Sequence, residues 1–399
     1  MREASLCRAG AHLDGAWQRI ADGTPKAWKC SVGWLANHTK PSDWRIYNRH
    51  QGPLLARSCE CDAAHGSARR HSADDYTWET RRGRGSCVFP RWDGNRFCAA
   101  LGSRVILLVG DSTMFQFAST LQALLRASGD GGGSSCAAQI DYALSDTLLG
   151  GCLGYFGRGG QWGALVSSSK RWPSIVILAA HAHVYRPPVG KCSPYPPTQH
   201  TREEQLAAFE AVLHNVFQSA ASLRHLASAG GRPPPAFVWR TAIPGHAECN
   251  RSAMSGGPAA VGRATLRTRT SPVVERAGGH GSCDGDDDTS TTSTAVTTGP
   301  FNWASFPSMD RLAACAIAAN GSRVGLSLLD TSMLYARPDA HPSSHVPTLA
   351  PQDHAQDCLH FCTPGPLDET ARVLQLMLLS GELDPAPPAS ERADRGLDK

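Results

Sequence analysis

From about residue 103 the chain alternates short apolar runs with amphipathic stretches. RVILLVG (104–110) is a continuous apolar run ending on glycine, the pattern of a strand buried on both faces. STMFQFASTLQALLRA (112–127) follows with Phe115, Ala118, Leu121 and Leu125 at helical spacing. SIVILAA (174–180) predicts the next strand. A capping box, Thr201 to Glu204, then opens a long helix through Leu206, Phe209, Leu213, Val216, Phe217 and Leu223. AFVWRTAIPG (236–245) predicts a strand, 308–320 a helix, VGLSLLDT (324–331) a strand, and 367–379 a final amphipathic helix. Strands alternating with helices imply one α/β domain with a mainly parallel central sheet covered on both faces.

Two regions break this rhythm. Residues 1–100 are rich in Trp, Cys, Gly and Arg with little periodicity, which predicts an irregular, disulfide-rich N-terminal extension packed on the core. Residues 252–299 hold GGPAAVGRATLRTRT and GDDDTSTTSTAVTTG, too polar and Gly/Thr-rich to build a core. They are expected to be a disordered insertion in a catalytic domain spanning 101–383, and the tail at 384–399 is expected to be disordered too.

Composition narrows the function classes. The 399-residue chain carries a formal charge of +4, with its Lys and Arg scattered, which does not suggest a nucleic-acid partner. Its 14 cysteines run from Cys7 to Cys362, and that even number suits disulfides in an oxidising compartment. Sequons at Asn37, Asn250 and Asn320 agree and are candidate glycosylation sites. The start, MREASLCRAG, has no apolar h-region, and no stretch is long enough to span a bilayer. The expectation is a secretory-pathway protein whose N-terminal anchor is missing from this sequence; the alternative is a cytosolic protein with free thiols.

The candidate chemistry lies at two distant places. Gly110-Asp111-Ser112 falls at the tip of the first core strand, where ligands bind in open α/β sheets. Ser112 would occupy the first turn of a helix, whose unpaired N–H groups can stabilise an oxyanion. Alone, the tripeptide is equally well read as a helix cap. DCLHFCTPGPLD (357–368) changes the balance, because Asp357 and His360 can supply the base and the orienting acid that a nucleophilic serine needs.

These features together resemble the SGNH/GDSL hydrolase superfamily, and within it the trichome birefringence-like (PC-esterase) group of polysaccharide O-acetyltransferases. The resemblance is carried by CRAGAHLDGAWQ (7–18), YTWETRRGRGSCVFPRWDGNRFCAAL (76–101), VGDST, RTAIPGHAEC (240–249), LLDTSMLYARPDAHP (328–342) and DCLHFCTPGPLD. It implies an SGNH-like three-layer fold, a Ser112, His360 and Asp357 triad, and a disulfide-bonded protein of the Golgi lumen. It also implies a polysaccharide or glycan acceptor and an acetyl donor, with no tightly bound cofactor and no metal. The plant enzymes continue Gly-Asp-Ser with Leu and an Arg-Asn pair, whereas this chain has Thr113-Met114-Phe115-Gln116. Superfamily members also place an oxyanion-donor Asn after the third strand, where this chain has LAAHAHVY. Gln116, Gly151, His181, His183, Arg240 and His246 are therefore candidate oxyanion or substrate-binding residues, with structural hydrogen bonding the other reading of Arg240 and His246.

The chain also offers rival constellations. RPDAHPSSH offers Asp339, His341 and His345 as a second acid–imidazole cluster, read either as a hydrogen-bonded loop or as a substrate contact. Cys358, His360 and Cys362 alternate, but not at a usual zinc spacing. Cys59 and Cys61 read as disulfide partners. Trp17, Trp28, Trp34, Trp44 and Trp78 suit either sugar stacking or packing in the extension. The expected activity is O-acetyl transfer to a glycan through an acyl-serine; acetylesterase and non-catalytic glycan binding are the alternatives.

Overall fold

The structure, a computed structural model, describes residues 6–7, 11–13, 15–20, 76–80, 87–129, 136–149, 161–184, 202–246, 303–337, 340–341 and 358–384. Asn37, Gly151, Asn250, Asp339, His345, Asp357, the segment 252–299 and the tail beyond Asp384 lie outside the described residues.

Two strands of the N-terminal region, β1 (Gly15–Arg19) and β2 (Tyr76–Thr80), pair antiparallel with Trp17 opposite Trp78. The remaining strands are β3 (Ile106–Gly110), β4 (Ile140–Leu144), β5 (Ile175–Leu178), β6 (Ala236–Arg240) and β7 (Leu326–Leu329). They form one five-stranded sheet in the order β4-β3-β5-β6-β7, every neighbouring pair parallel. The helices are α1 (Gly94–Leu101), α2 (Ser112–Gly129), α3 (Trp162–Ser167), α4 (Arg202–Ala229), α5 (Phe306–Val324) and α6 (Pro366–Leu379).

Two apolar layers cover the sheet. On one face Phe97 of α1, Phe117 and Leu121 of α2, and Leu374 and Met377 of α6 pack on Ile106, Leu108 and Ile177. On the other, Phe209 and Val216 of α4 and Phe306 and Met309 of α5 pack on Leu107, Val176 and Trp239. The side chains of β3 and β5 are buried throughout, which is why those strands read as unbroken apolar runs. β4 is an edge strand carrying Asp141, which pairs with Arg171 at 2.7 Å in a half-exposed setting. That polar edge character hid it from a hydrophobic-pattern reading, and α1, α3 and the β1–β2 pair escaped for want of periodicity.

The chain leaves β3, adds β4 on one side, then returns to add β5 on the other. The reversal opens a crevice at the carboxyl ends of β3 and β5, where open α/β sheets bind their ligands.

The N-terminal region is tied to this core. Disulfides join Cys7 to Cys87 and Cys98 to Cys136. Cys315, Cys358 and Cys362 are also disulfide-bonded, and none of the described cysteines is free. The Trp17 indole donates to the Met333 carbonyl at 3.0 Å, and the Trp78 indole to the His12 carbonyl at 2.7 Å. Both rings serve packing and hydrogen bonding, with Trp78 buried. Arg372 of α6 gathers β2 from the other side: it donates to Thr77 Oγ1 (2.8 Å), the Trp78 carbonyl (3.0 Å), the Pro90 carbonyl (3.0 Å) and Glu369 Oε2 (2.6 Å).

Candidate active site

Gly110 is required by close approach. A Cβ there would lie 2.7 Å from the Ala179 carbonyl oxygen and 2.8 Å from Met114 Cβ, so only glycine lets β3 run directly into α2 beside the end of β5. Asp111 then caps α2. Its Oδ1 accepts the Thr113 backbone N–H at 2.9 Å and the Thr113 hydroxyl at 2.7 Å, and its carbonyl accepts the N–H groups of Met114 and Phe115. Tyr142 of β4 supports the same turn, its hydroxyl sitting 2.9 Å from the Gly110 carbonyl oxygen and 3.0 Å from that of Asp111. Ser112 is thereby held at the first turn of α2, partly exposed.

The segment around His360 is fixed through its backbone from two sides. Gln116 uses both ends of its amide on Phe361: Nε2 donates to the Phe361 carbonyl at 2.5 Å, and Oε1 accepts the Phe361 N–H at 3.1 Å. Opposite, His246 N–H donates to the Cys358 carbonyl at 3.0 Å, Cys362 N–H donates to the Ala340 carbonyl at 2.8 Å, and His341 Nδ1 donates to the His360 carbonyl at 2.7 Å. Helix α6, packed on α2, carries this segment to the serine. The result is a 2.9 Å contact between His360 Nε2 and Ser112 Oγ, across 248 residues of sequence.

Charge is organised beneath this pair. Burial alone would raise the Asp111 carboxyl, but His183, the two Thr113 hydrogen bonds and Arg240 outweigh it and hold it below the ordinary carboxylate range. Arg240, at the tip of β6 and 1% exposed, donates from Nη2 to Thr113 Oγ1 at 2.9 Å. Its burial lowers the guanidinium to about 10 against the pull of Asp111 and Asp310. His183 is lowered by burial, with Asp111 opposing and His360 adding to the shift, which favours the neutral ring at pH 7. Asp146, after β4, is pushed up to about 8 by burial and then by the negative charge of Asp111, which keeps it protonated at neutral pH.

Several expected donors take other roles. His181 is not at the crevice: its ring packs among Phe209, Trp239 and Phe306 in the α4–α5 layer, with Nε2 3.1 Å from Asp310 Oδ1. Both ends of the Gln116 amide bind the Phe361 backbone, next to His360. Arg240 bonds Thr113, and His246 meets the carbonyl of Tyr335 (3.0 Å) and His341 (2.6 Å). His183 alone of the described donor candidates combines a neutral ring with electrostatic contact to His360. Cys358 and Cys362 are bonded in disulfides, so no thiolate there can hold a metal. Asn320 is exposed near the end of α5.

Sequence reasoning passed over Thr113, Tyr142 and Asp146. Thr113 had a signal, as a hydroxyl two residues after a capping Asp. Tyr142 and Asp146 had none, because their strand was not recognised.

Residues 263–377 match the PC-Esterase family. Its description is a GDSL/SGNH-like acyl-esterase family found in Pmr5 and Cas1p. No curated protein matches the chain. The match begins inside the polar segment 252–299, which the motif reading had left out of the resemblance, and runs into α6. It covers β7, Asp357 and His360 but not Ser112. The segment bearing His360 therefore lies inside the PC-Esterase match, and Ser112 is joined to it by geometry.

Proposed function

We propose that this protein is a serine-dependent acyltransferase that moves an acetyl group onto a polysaccharide or glycan hydroxyl. The contact between Ser112 Oγ and His360 Nε2, at 2.9 Å, carries the reading. His360 Nε2 takes the hydroxyl proton as Ser112 Oγ attacks the carbonyl carbon of an acetyl donor. The oxyanion forms beside the Ser112 N–H at the start of α2, with the His183 imidazole as a second donor. His360 then gives the proton to the leaving group, the carbonyl re-forms, and acetyl-Ser112 results. An acceptor hydroxyl, deprotonated in turn by His360, attacks that ester and releases the serine. Asp357 is the residue proposed to hold the other ring nitrogen of His360. The resemblance to O-acetyltransferases and the acyl-esterase description of the matching family support acetyl as the group transferred. The disulfides support folding in the secretory pathway, and the Golgi lumen is the proposed location.

Water in place of the sugar makes the same intermediate an esterase, a second reading favoured by the acyl-esterase description. The test compares wild type with Ser112→Ala on a chromogenic acetyl ester, then adds a glycan acceptor and follows acetyl by mass. Turnover lost in the variant, with acetylated glycan formed by wild type, is expected. Acetic acid as the sole product supports the esterase, and equal rates in both proteins would refute the serine mechanism.

A further inference from the structure

The two imidazoles behind His360 present a proton-counting problem. His246 Nε2 lies 3.0 Å from the Tyr335 carbonyl oxygen, and His341 Nδ1 lies 2.7 Å from the His360 carbonyl oxygen. A carbonyl oxygen only accepts, so each of these outer nitrogens must carry a proton. In two neutral rings the inner nitrogens, His246 Nδ1 and His341 Nε2, would then both be lone pairs. Yet these two atoms are 2.6 Å apart. The ring centres, 4.9 Å apart, exceed that separation by just two imidazole radii, so the lone pairs point straight at each other. Two facing lone pairs repel; a proton between them turns the contact into a charge-assisted hydrogen bond, which is the kind that runs short.

We propose that His246 and His341 form a proton-bound imidazole pair, with three ring protons and one positive charge between them, that positions His360 by its carbonyl. The proton balance is simple: one ring is an imidazolium donating N–H to the bare nitrogen of the other, and no further reactant is needed. The Phe361 ring lies stacked on His341 at 4.5 Å and 20°, which fixes the plane of the imidazole and hence the direction of its Nδ1–H. The Tyr335 that holds His246 by its carbonyl also donates its hydroxyl to Asp310 at 2.9 Å. The pair sits between the end of β6 and the segment bearing His360, so it ties the two sides of the crevice together. Its part in catalysis rests on the acyl-transfer reading; its proton content does not.

The test is nitrogen-15 NMR of the full-length protein labelled at histidine, without substrate and near neutral pH, with resonances assigned by His246→Leu and His341→Ala. Three protonated nitrogens out of the four in this pair are expected, with one proton resonance far downfield from the short N–H···N bond. In His246→Leu that resonance vanishes while His341 Nδ1–H stays on the His360 carbonyl. On a chromogenic acetyl ester this variant should lose roughly tenfold in kcat with KM unchanged, because positioning of the base and not ester binding is altered. Two protonated nitrogens in the wild-type pair would overturn the proposal. So would inner-nitrogen signals that shift on chelator treatment, which would put a metal ion where the proton belongs. A wild-type protein with the three protons but no ester turnover would refute the acyl-transfer reading and leave the proton pair standing.

Discussion

Replacing Gln116 by Leu removes a two-bond amide clamp while keeping the volume of the side chain close to native. Gln116 is fully buried, and its amide satisfies both the N–H and the C=O of Phe361 at 3.1 and 2.5 Å. Leaving a buried backbone donor or acceptor unpaired costs about 1–3 kcal/mol per group. Two such groups, less the relief of no longer burying an amide, give a net loss of about 2–3 kcal/mol. At roughly 2–4 °C per kcal/mol for a domain of this class, Tm should fall by roughly 4–12 °C. The kinetic effect follows from the next residue. Freed from α2, the segment bearing His360 relaxes away from Ser112, and a misplacement of about 1 Å costs on the order of 100-fold in rate. Gln116→Glu separates the two bonds. Its carboxylate still accepts the Phe361 N–H but sets a second acceptor against the Phe361 carbonyl; once protonated, it can donate there. The Glu variant should therefore regain stability as the pH falls and lose it as the pH rises through the carboxyl's folded-state pKa. The assays are thermal unfolding and steady-state hydrolysis of a chromogenic acetyl ester across pH. Wild-type Tm and kcat/KM in Gln116→Leu would refute the clamp. A lower Tm with wild-type kcat/KM would refute its link to His360.

Arg372→Met should uncouple the N-terminal strands from α6, since it leaves Glu369 as an uncompensated buried charge beside Thr77 and Trp78. A loss of about 3–5 kcal/mol is expected, read as a lower urea midpoint and faster proteolysis between β1 and β2. Asp146→Asn tests the buried acid: because the folded-state value is raised to about 8, wild type loses stability as pH climbs from its unfolded value toward 8. The Asn variant should gain in Tm over wild type across that window, and a pH-independent difference would contradict a protonated Asp146.

The apolar runs of β3, β5, β6 and β7 and the amphipathic helices were legible because each is a local pattern whose period declares its burial. The glycine before Asp111 and the segment 357–362 were also visible as chemistry, and the resemblance paired them. Strand β4 was not legible: at the sheet edge it needs only half its residues apolar, and a polar Asp141 there is satisfied by Arg171 from another segment. Nor could sequence sort the donor candidates. His181 and His183 stand two apart and look alike, yet one ring turns into the aromatic α4–α5 layer and the other is buried within the electrostatic reach of Asp111 and His360.

Sequence by itself determined the strands and helices with a clear hydrophobic period, and which residue types were available for acyl chemistry, because local propensity and hydrophobic period act over a few residues. Only the tertiary structure decided that Ser112 and His360 meet, that Gln116 and His341 hold the segment around His360 from opposite sides, and that the Asp146 carboxyl is pushed up to about 8. Those outcomes depend on burial and on contacts between segments separated along the chain, Ser112 and His360 by 248 residues, which no local pattern encodes.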